Sequence, residues 1–172
     1  PAYQGKRSAW TPPWKSTACV VTAEDGTFGF GVSAFSAPVV RIINDHFAPQ
    51  LQGQHALATE RHFDVMRRLV ASYGPQGLSS FAISAVDLAL WDLKGKLLQR
   101  PVYELLGGPQ KDRIFCYATG NDVDWNQELG FQAFKLACPH GPADDEAGLQ
   151  RNEALVAETR DLIGPDAPLM LD

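Results

Sequence analysis

The sequence predicts a chain of two parts: an α+β segment up to about residue 110, then the first strands of a parallel β/α array. Three observations carry this. Two β-rich runs, residues 17–24 and 28–33, flank Asp25-Gly26. Three helical periods then follow with no strand between them. After Gly107-Gly108 the pattern becomes strand, helix, strand, helix, strand, whose crossovers build a parallel sheet.

Residues 17–24 alternate, with Cys19, Val21 and Ala23 on one face and Ala18, Val20 and Thr22 on the other, the period of a half-buried strand. Asp25-Gly26 predicts a hairpin with a type I′ turn, which needs positive φ at both central residues. Ser36 is placed to cap a helix that runs to Phe47, with Val39, Ile43 and Phe47 on one face and Pro49 as its stop. A second helix is predicted over 58–73, with Phe63, Met66, Leu69 and Tyr73 as its buried stripe and Gly74 in the left-handed position after its end. A third, over 81–99, is apolar nearly all round through Ile83, Val86, Leu90, Trp91 and Leu97, so it is buried on several sides. Its Ala82, Ala85, Ala89 and Gly95 permit close approach of a neighbouring helix. Asp92 and Lys96 are oriented for an i,i+4 ion pair. Pro101 and Gly107-Gly108 then punctuate the chain.

Beyond the boundary at 108–113, strands are predicted over 113–119, 131–137 and 168–172. A short helix is predicted over 126–129 and an amphipathic one over 146–163, through Leu149, Val156, Thr159 and Ile163. Three strands and two crossovers do not close a barrel. The chain opens in a loop-like stretch without an initiator methionine and closes directly after Leu169-Met170-Leu171. Further sequence is therefore expected at both ends.

The length of 172 residues suits one domain or one and a half. A net charge of −5 with no basic run argues against nucleic acid as a partner. No stretch approaches the ~18–20 consecutive apolar residues of a membrane span. The cysteines, Cys19, Cys116 and Cys138, are odd in number, far apart and without CxxC spacing. They read as reduced packing residues of a cytoplasmic protein, not as a disulfide framework or a zinc site.

The run Ala85-Val86-Asp87-Leu88-Ala89-Leu90-Trp91-Asp92-Leu93-Lys94-Gly95-Lys96, with Pro101 and Leu105-Leu106-Gly107-Gly108 after it, resembles the signature of the mandelate racemase and muconate-lactonizing branch of the enolase superfamily. Phe115-Cys116-Tyr117-Ala118-Thr119-Gly120, Gly130-Phe131, Lys135, His140-Gly141-Pro142, Gly148 and Leu169-Met170-Leu171-Asp172 are similar to the rhamnonate dehydratases. The resemblance implies an α+β capping domain over 1–110 and the start of a modified TIM (β/α) barrel, incomplete, over 111–172. A full barrel takes ~250 residues. It also implies a Mg²⁺-dependent hydro-lyase, a homo-oligomer, whose sugar-acid substrate lies between the barrel's carboxyl face and the capping loops. The α proton is abstracted, an enediolate is stabilised, and the β-hydroxyl leaves to give a 2-keto-3-deoxy acid.

Asp172 ends a predicted strand, where a carboxylate faces the catalytic end of a barrel and offers the hard oxygen that Mg²⁺ takes. Its plain alternative is to cap a following helix. The resemblance makes it the first of three metal carboxylates. Lys135 lies within the second strand of the array. The superfamily's Lys-x-Lys pair is broken here, because Ala137 stands at the second lysine's place. The resemblance then implies a histidine base on a later strand, with Lys135 offsetting charge on the carboxylate or enediolate. Lys135 is otherwise a salt-bridged lysine under the sheet.

His140, in the loop after that strand, is placed to bond a sugar hydroxyl, or is an exposed histidine in a tight turn. Arg7, with Lys6 as a rival, offers a fork for the substrate carboxylate, flanked by Trp10 and Trp14. His46, His55 and His62 read as surface residues. Asp87 and Asp92, five apart on a helix, point in different directions and read as structural. Asp144, Asp145 and Glu146 read as the solvated first turn of the next helix. Two other readings stand beside the dehydratase. One is a racemase or cycloisomerase on the same fold. The other is a non-catalytic fragment whose unpaired strand edges associate with a partner.

Overall fold

In the computed structural model, which describes residues 15–172, β1 (Thr17–Thr22) and β2 (Phe28–Ser33) pair antiparallel from Thr17 opposite Ser33 to Thr22 opposite Phe28. The turn between them is not type I′. Gly26 has φ +86°, whereas Asp25 is not in the positive region. The Gly26 N–H donates to the Ala23 carbonyl at 3.0 Å, and the Ala23 N–H donates to the Thr27 carbonyl at 2.8 Å. This is a three-residue loop, in which one left-handed glycine completes an ordinary turn. Asp25 Oδ1 accepts the Thr27 N–H at 2.9 Å, and that bond holds its carboxyl below the usual range.

The next helix begins at Ser36, but Ser36 does not cap it. Phe35 occupies the cap position at φ 57°, and the Ser36 N–H donates to the Lys15 carbonyl at 3.0 Å. Nor does Pro49 stop it. Helix α1 (Ser36–Arg41) widens into a π-helical turn (Ile42–Phe47) and resumes as α2 (Ala48–Leu51). The Ala48 N–H reaches back five residues to the Ile43 carbonyl. Pro49 then falls in the first turn of α2, where its missing donor costs nothing.

Helix α3 (Thr59–Leu69) buries Thr59, His62 and Met66, with Val70 just past its end, while Phe63 and Tyr73 are exposed. Met66 is buried as expected, but His62 and Thr59 take the inward place expected of Phe63, because these polar residues find partners. His62, read as a surface residue, is buried and donates Nε2–H to the His55 carbonyl at 2.8 Å. Lys94 Nζ donates to the Thr59 hydroxyl at 3.1 Å. His46 is half-buried, with Nε2 3.1 Å from the Leu69 carbonyl. Only His55 among the three is exposed.

Helix α4 (Leu78–Leu98) is the centre of this unit and buries Ala82, Ile83, Ala85, Val86, Ala89, Leu90 and Leu93. Ala85 and Ala89 admit strand β2. A Cβ on Gly31 would stand 2.1 Å from the Ala85 carbonyl oxygen, and one on Gly29 1.9 Å from that of Ala89. Only glycine allows this approach. The expected Asp92–Lys96 pair forms at 2.7 Å. Asp92 Oδ2 also accepts the Phe30 N–H at 2.8 Å, and Lys96 Nζ donates to the Phe28 carbonyl at 2.9 Å. The pair thus serves the outer edge of β2 as a further strand would. Asp87 is half-buried, its carboxylate has no hydrogen-bond partner among the described residues, and burial raises its pKa. Helix α5 (Val102–Leu105) follows.

Residues 111–172 form a separate compact unit. Strands β3 (Ala118–Thr119), β4 (Phe134–Leu136) and β5 (Leu169–Leu171) lie side by side in that order, all parallel. Helix α6 (Val123–Glu128) links the first two. A 3₁₀ turn (Pro142–Asp144) and α7 (Asp145–Ile163) link the last two. Ala118, Val123, Phe134 and Leu136 form the core, packed by Phe131, Leu155, Val156 and Ile163. Two expectations fail here. Residues 113–117 are not strand, so Cys116 is exposed instead of packed, in contrast to the buried Cys19. Leu149 is exposed and Gly148 faces inward in its place, while Thr159 is buried as expected. Among the described residues the sheet is open at three strands, so no barrel is formed.

Candidate active site

Because the three strands are parallel, their carboxyl ends lie on one edge. On β4, Phe134 and Leu136 turn into the core, which sends Lys135 to the opposite face. Lys135 pairs with Met170, and Asp172, two residues on, shares that face. The two side chains meet there. Lys135 Nζ donates to Asp172 Oδ2 at 2.5 Å, with the lysine side chain 26% exposed and the aspartate 69%. The bond to Asp172 raises the lysine pKa, so the ammonium is charged throughout the neutral range. The Asp172 backbone is held too. Its N–H donates to the Leu136 carbonyl at 3.0 Å, and its carbonyl accepts the Cys138 N–H at 2.9 Å.

His140 follows in the loop after β4. Its Nδ1 lies 3.7 Å from Asp144 Oδ2, and its side chain is 24% exposed. Asp144 also accepts the Gly141 N–H at 3.0 Å, so it closes the turn ahead of α7. Asp145 and Glu146 stand in that helix's first turn, as the acidic run implied. Gly148 underlies the loop: a Cβ there would stand 2.4 Å from that of Asp144 and 3.1 Å from that of His140. Lys135 and Asp172 are brought together, and His140 sits on the adjoining loop. Arg7, with Lys6, Trp10 and Trp14, lies outside the described residues.

Two residues that the sequence did not single out hold this edge. Asn121 Oδ1 accepts the Ala137 N–H and its Nδ2 donates to the Ala137 carbonyl, both at 3.0 Å. Asn152, on α7, does the same for His140, at 3.3 Å to the N–H and 2.8 Å to the carbonyl. The only signal for Asn121 was an amide side chain two residues past a strand end, and for Asn152 there was none.

Among the described residues no three His, Cys, Asp or Glu side chains converge as a metal site. The exposed carboxylate of Asp172 fits Mg²⁺ as one hard oxygen donor, since that ion is commonly held by one or two carboxylates together with water and substrate oxygens. A groove of about 1010 Å³ beside β1, lined by Phe47, Val86, Leu90 and Leu93, belongs to the other unit and does not include these residues. No helix among the described residues is long and apolar enough to cross a membrane.

Residues 14–107 match the family model described as "Mandelate racemase / muconate lactonizing enzyme, N-terminal domain". The chain is 43% identical to the L-rhamnonate dehydratase of Saccharopolyspora erythraea over 173 aligned positions, 100% of this chain and 44% of that protein. It therefore spans less than half the length of that curated relative. The crystal structure of rhamnonate dehydratase from Gibberella zeae complexed with Mg superposes with a TM-score of 0.82 at 36% identity, over 92% of this chain and 39% of that one. The 3,6-anhydro-D-galactonate cycloisomerase of Zobellia galactanivorans superposes with a TM-score of 0.77 at 36% identity, over 90% of this chain and 44% of that one.

Proposed function

The chain belongs to the mandelate racemase / muconate lactonizing enzyme family of the enolase superfamily, and on that premise we propose that it carries part of a Mg²⁺-dependent sugar-acid dehydratase. The observation that carries this reading is the Lys135–Asp172 pair at the carboxyl edge of the parallel sheet, at 2.5 Å. A carboxylate there is a ligand in waiting for a hard cation, and a permanent ammonium beside it offsets negative charge on the reacting carboxylate. In this reading Asp172 is a metal ligand and Lys135 is electrostatic. When bound, Mg²⁺ supplies further positive charge for the enediolate. His140 meets a substrate hydroxyl and Arg7 meets the substrate carboxylate. L-Rhamnonate or a close stereochemical relative is the substrate, and the working protein is a homo-oligomer of the capping domain on a complete barrel.

Ala137, at the place of a second lysine, supports dehydration driven by a histidine elsewhere over chemistry with bases on both faces. The likeness to a cycloisomerase keeps racemisation or cycloisomerisation of another carboxylate as the second reading. The test is a panel of sugar acids given to the protein with its flanking sequence, in Mg²⁺ and in EDTA. A Mg²⁺-dependent 2-keto-3-deoxy product supports the dehydratase. An isomer of unchanged mass supports the second reading.

A further inference from the structure

The loop after β4, residues 137–140, keeps a ladder bond to the β5 segment only at Cys138, yet every backbone N–H in it is engaged. The Ala137 N–H goes to Asn121 Oδ1, the Cys138 N–H to the Asp172 carbonyl, and the His140 N–H to Asn152 Oδ1; Pro139 has none to give. The carbonyls of Ala137 and His140 are taken by the same two amides, at 3.0 and 2.8 Å. A primary amide presents one donor and one acceptor side by side, so it can replace a strand's peptide group. Here one asparagine grips each end of the loop. Asn121 comes from the segment after β3 and Asn152 from α7, so the loop is tied to two different elements.

The two grips serve different parts of the site. Asn121 holds Ala137, whose neighbour Cys138 donates to the backbone of Asp172. Asn152 holds His140 itself. Resting on the reading of the site given above, we propose that Asn121 and Asn152 are positioning residues. Asn121 sets the place of the metal carboxylate Asp172, and Asn152 sets the place of the substrate-facing His140. Neither touches the reacting atoms. Each acts through the backbone of the residue it holds, as outer partners of metal ligands do.

The experiment uses the protein with its flanking sequence and the variants Asn121→Ala and Asn152→Ala. Mn²⁺, a paramagnetic substitute for Mg²⁺, is titrated by electron spin resonance, and KM for the sugar acid is measured at saturating metal. Asn121→Ala is expected to weaken Mn²⁺ binding about tenfold with KM little changed, the scale seen for outer partners of ligands. Asn152→Ala is expected to raise KM by a similar factor with Mn²⁺ binding unchanged. A purely structural role would move both quantities together in both variants, and that result overturns the proposal, as does no change in either. Asn121→Asp and Asn152→Asp, isosteric but lacking the N–H donor, carry the same split where an alanine variant fails to fold. If the parent neither binds Mn²⁺ nor turns over a sugar acid, the proposed function fails. The amide exchange of Ala137 and His140 then decides the clamps alone: faster exchange in the matching variant supports them, and unchanged exchange overturns them.

Discussion

Lys135 reaches across two parallel strands to Asp172, and its ammonium donates to the carboxylate at 2.5 Å on the face turned away from the core. That contact joins the two residues on which the proposed chemistry depends. In the proposed reaction Lys135 both competes with a cation for Asp172 and offsets charge, so its removal should separate binding from turnover. Lys135→Met is expected to bind Mn²⁺ at least as tightly as the parent, while kcat falls by roughly 10²–10³, as when a preorganised electrostatic partner is lost. Weaker metal binding with unchanged kcat contradicts the assigned role.

Gly31 and Gly26 offer a paired test of the hairpin. An alanine at 31 meets the backbone of Ala85 and Ala89, at 2.1 and 2.8 Å, which cannot move without unseating β2 from α4. Overpacking of that kind is expected to cost about 3 kcal/mol. An alanine at 26 meets nothing within 4 Å and carries only the strain of φ +86°, about 1 kcal/mol. Denaturant unfolding should rank Gly31→Ala well below Gly26→Ala, and equal losses would refute the close-approach account.

Asp92 predicts an acid dependence. The hydrogen bond from Lys96 and then that from Phe30 hold its carboxyl pKa below the ordinary value. A depressed folded pKa means stability that is present above the unfolded value, ~3.9, and is lost as pH falls through the folded one. The pair is partly exposed, with side chains 44% and 38% accessible, so its share is small, about 0.5 kcal/mol. Asp92→Asn keeps an acceptor for Phe30 but loses the charge. It should melt slightly lower than the parent at pH 7, and the gap should close as pH falls below the unfolded value, ~3.9, and through the depressed folded one. A gap that persists in acid would assign the effect to packing.

Local patterns were legible where one physical rule acted alone. The β-rich run after Asp25-Gly26 marked β2 residue for residue, i,i+4 spacing marked Asp92–Lys96, and all-round apolarity marked the buried α4. The sequence was less legible where two rules competed. Pro49 is a helix breaker, but the π turn before it places it at a fresh helix start. His62 and Thr59 look solvent-facing until His55 and Lys94 supply partners, and those partners shift the buried stripe of α3. Residues 113–117 have strand composition but, among the described residues, no strand to pair with. Within the site, Lys135 and Asp172 were legible from strand ends and resemblance. Asn121 and Asn152 were not, because their role exists only in contacts between segments 12 or more residues apart.

The central claim is that the site removes an α proton and then expels the neighbouring hydroxyl. Proton NMR of the reaction in D₂O with Mg²⁺ and L-rhamnonate tests it most directly. Loss of the C2 proton and the C3 hydroxyl yields an enol, which ketonises by taking a deuteron at C3. The account predicts a 2-keto-3-deoxy acid with one deuterium at C3, absent in EDTA and absent in Asp172→Asn. Deuterium at C2 in a molecule that keeps its C3 hydroxyl would contradict dehydration and establish reprotonation at the α carbon instead.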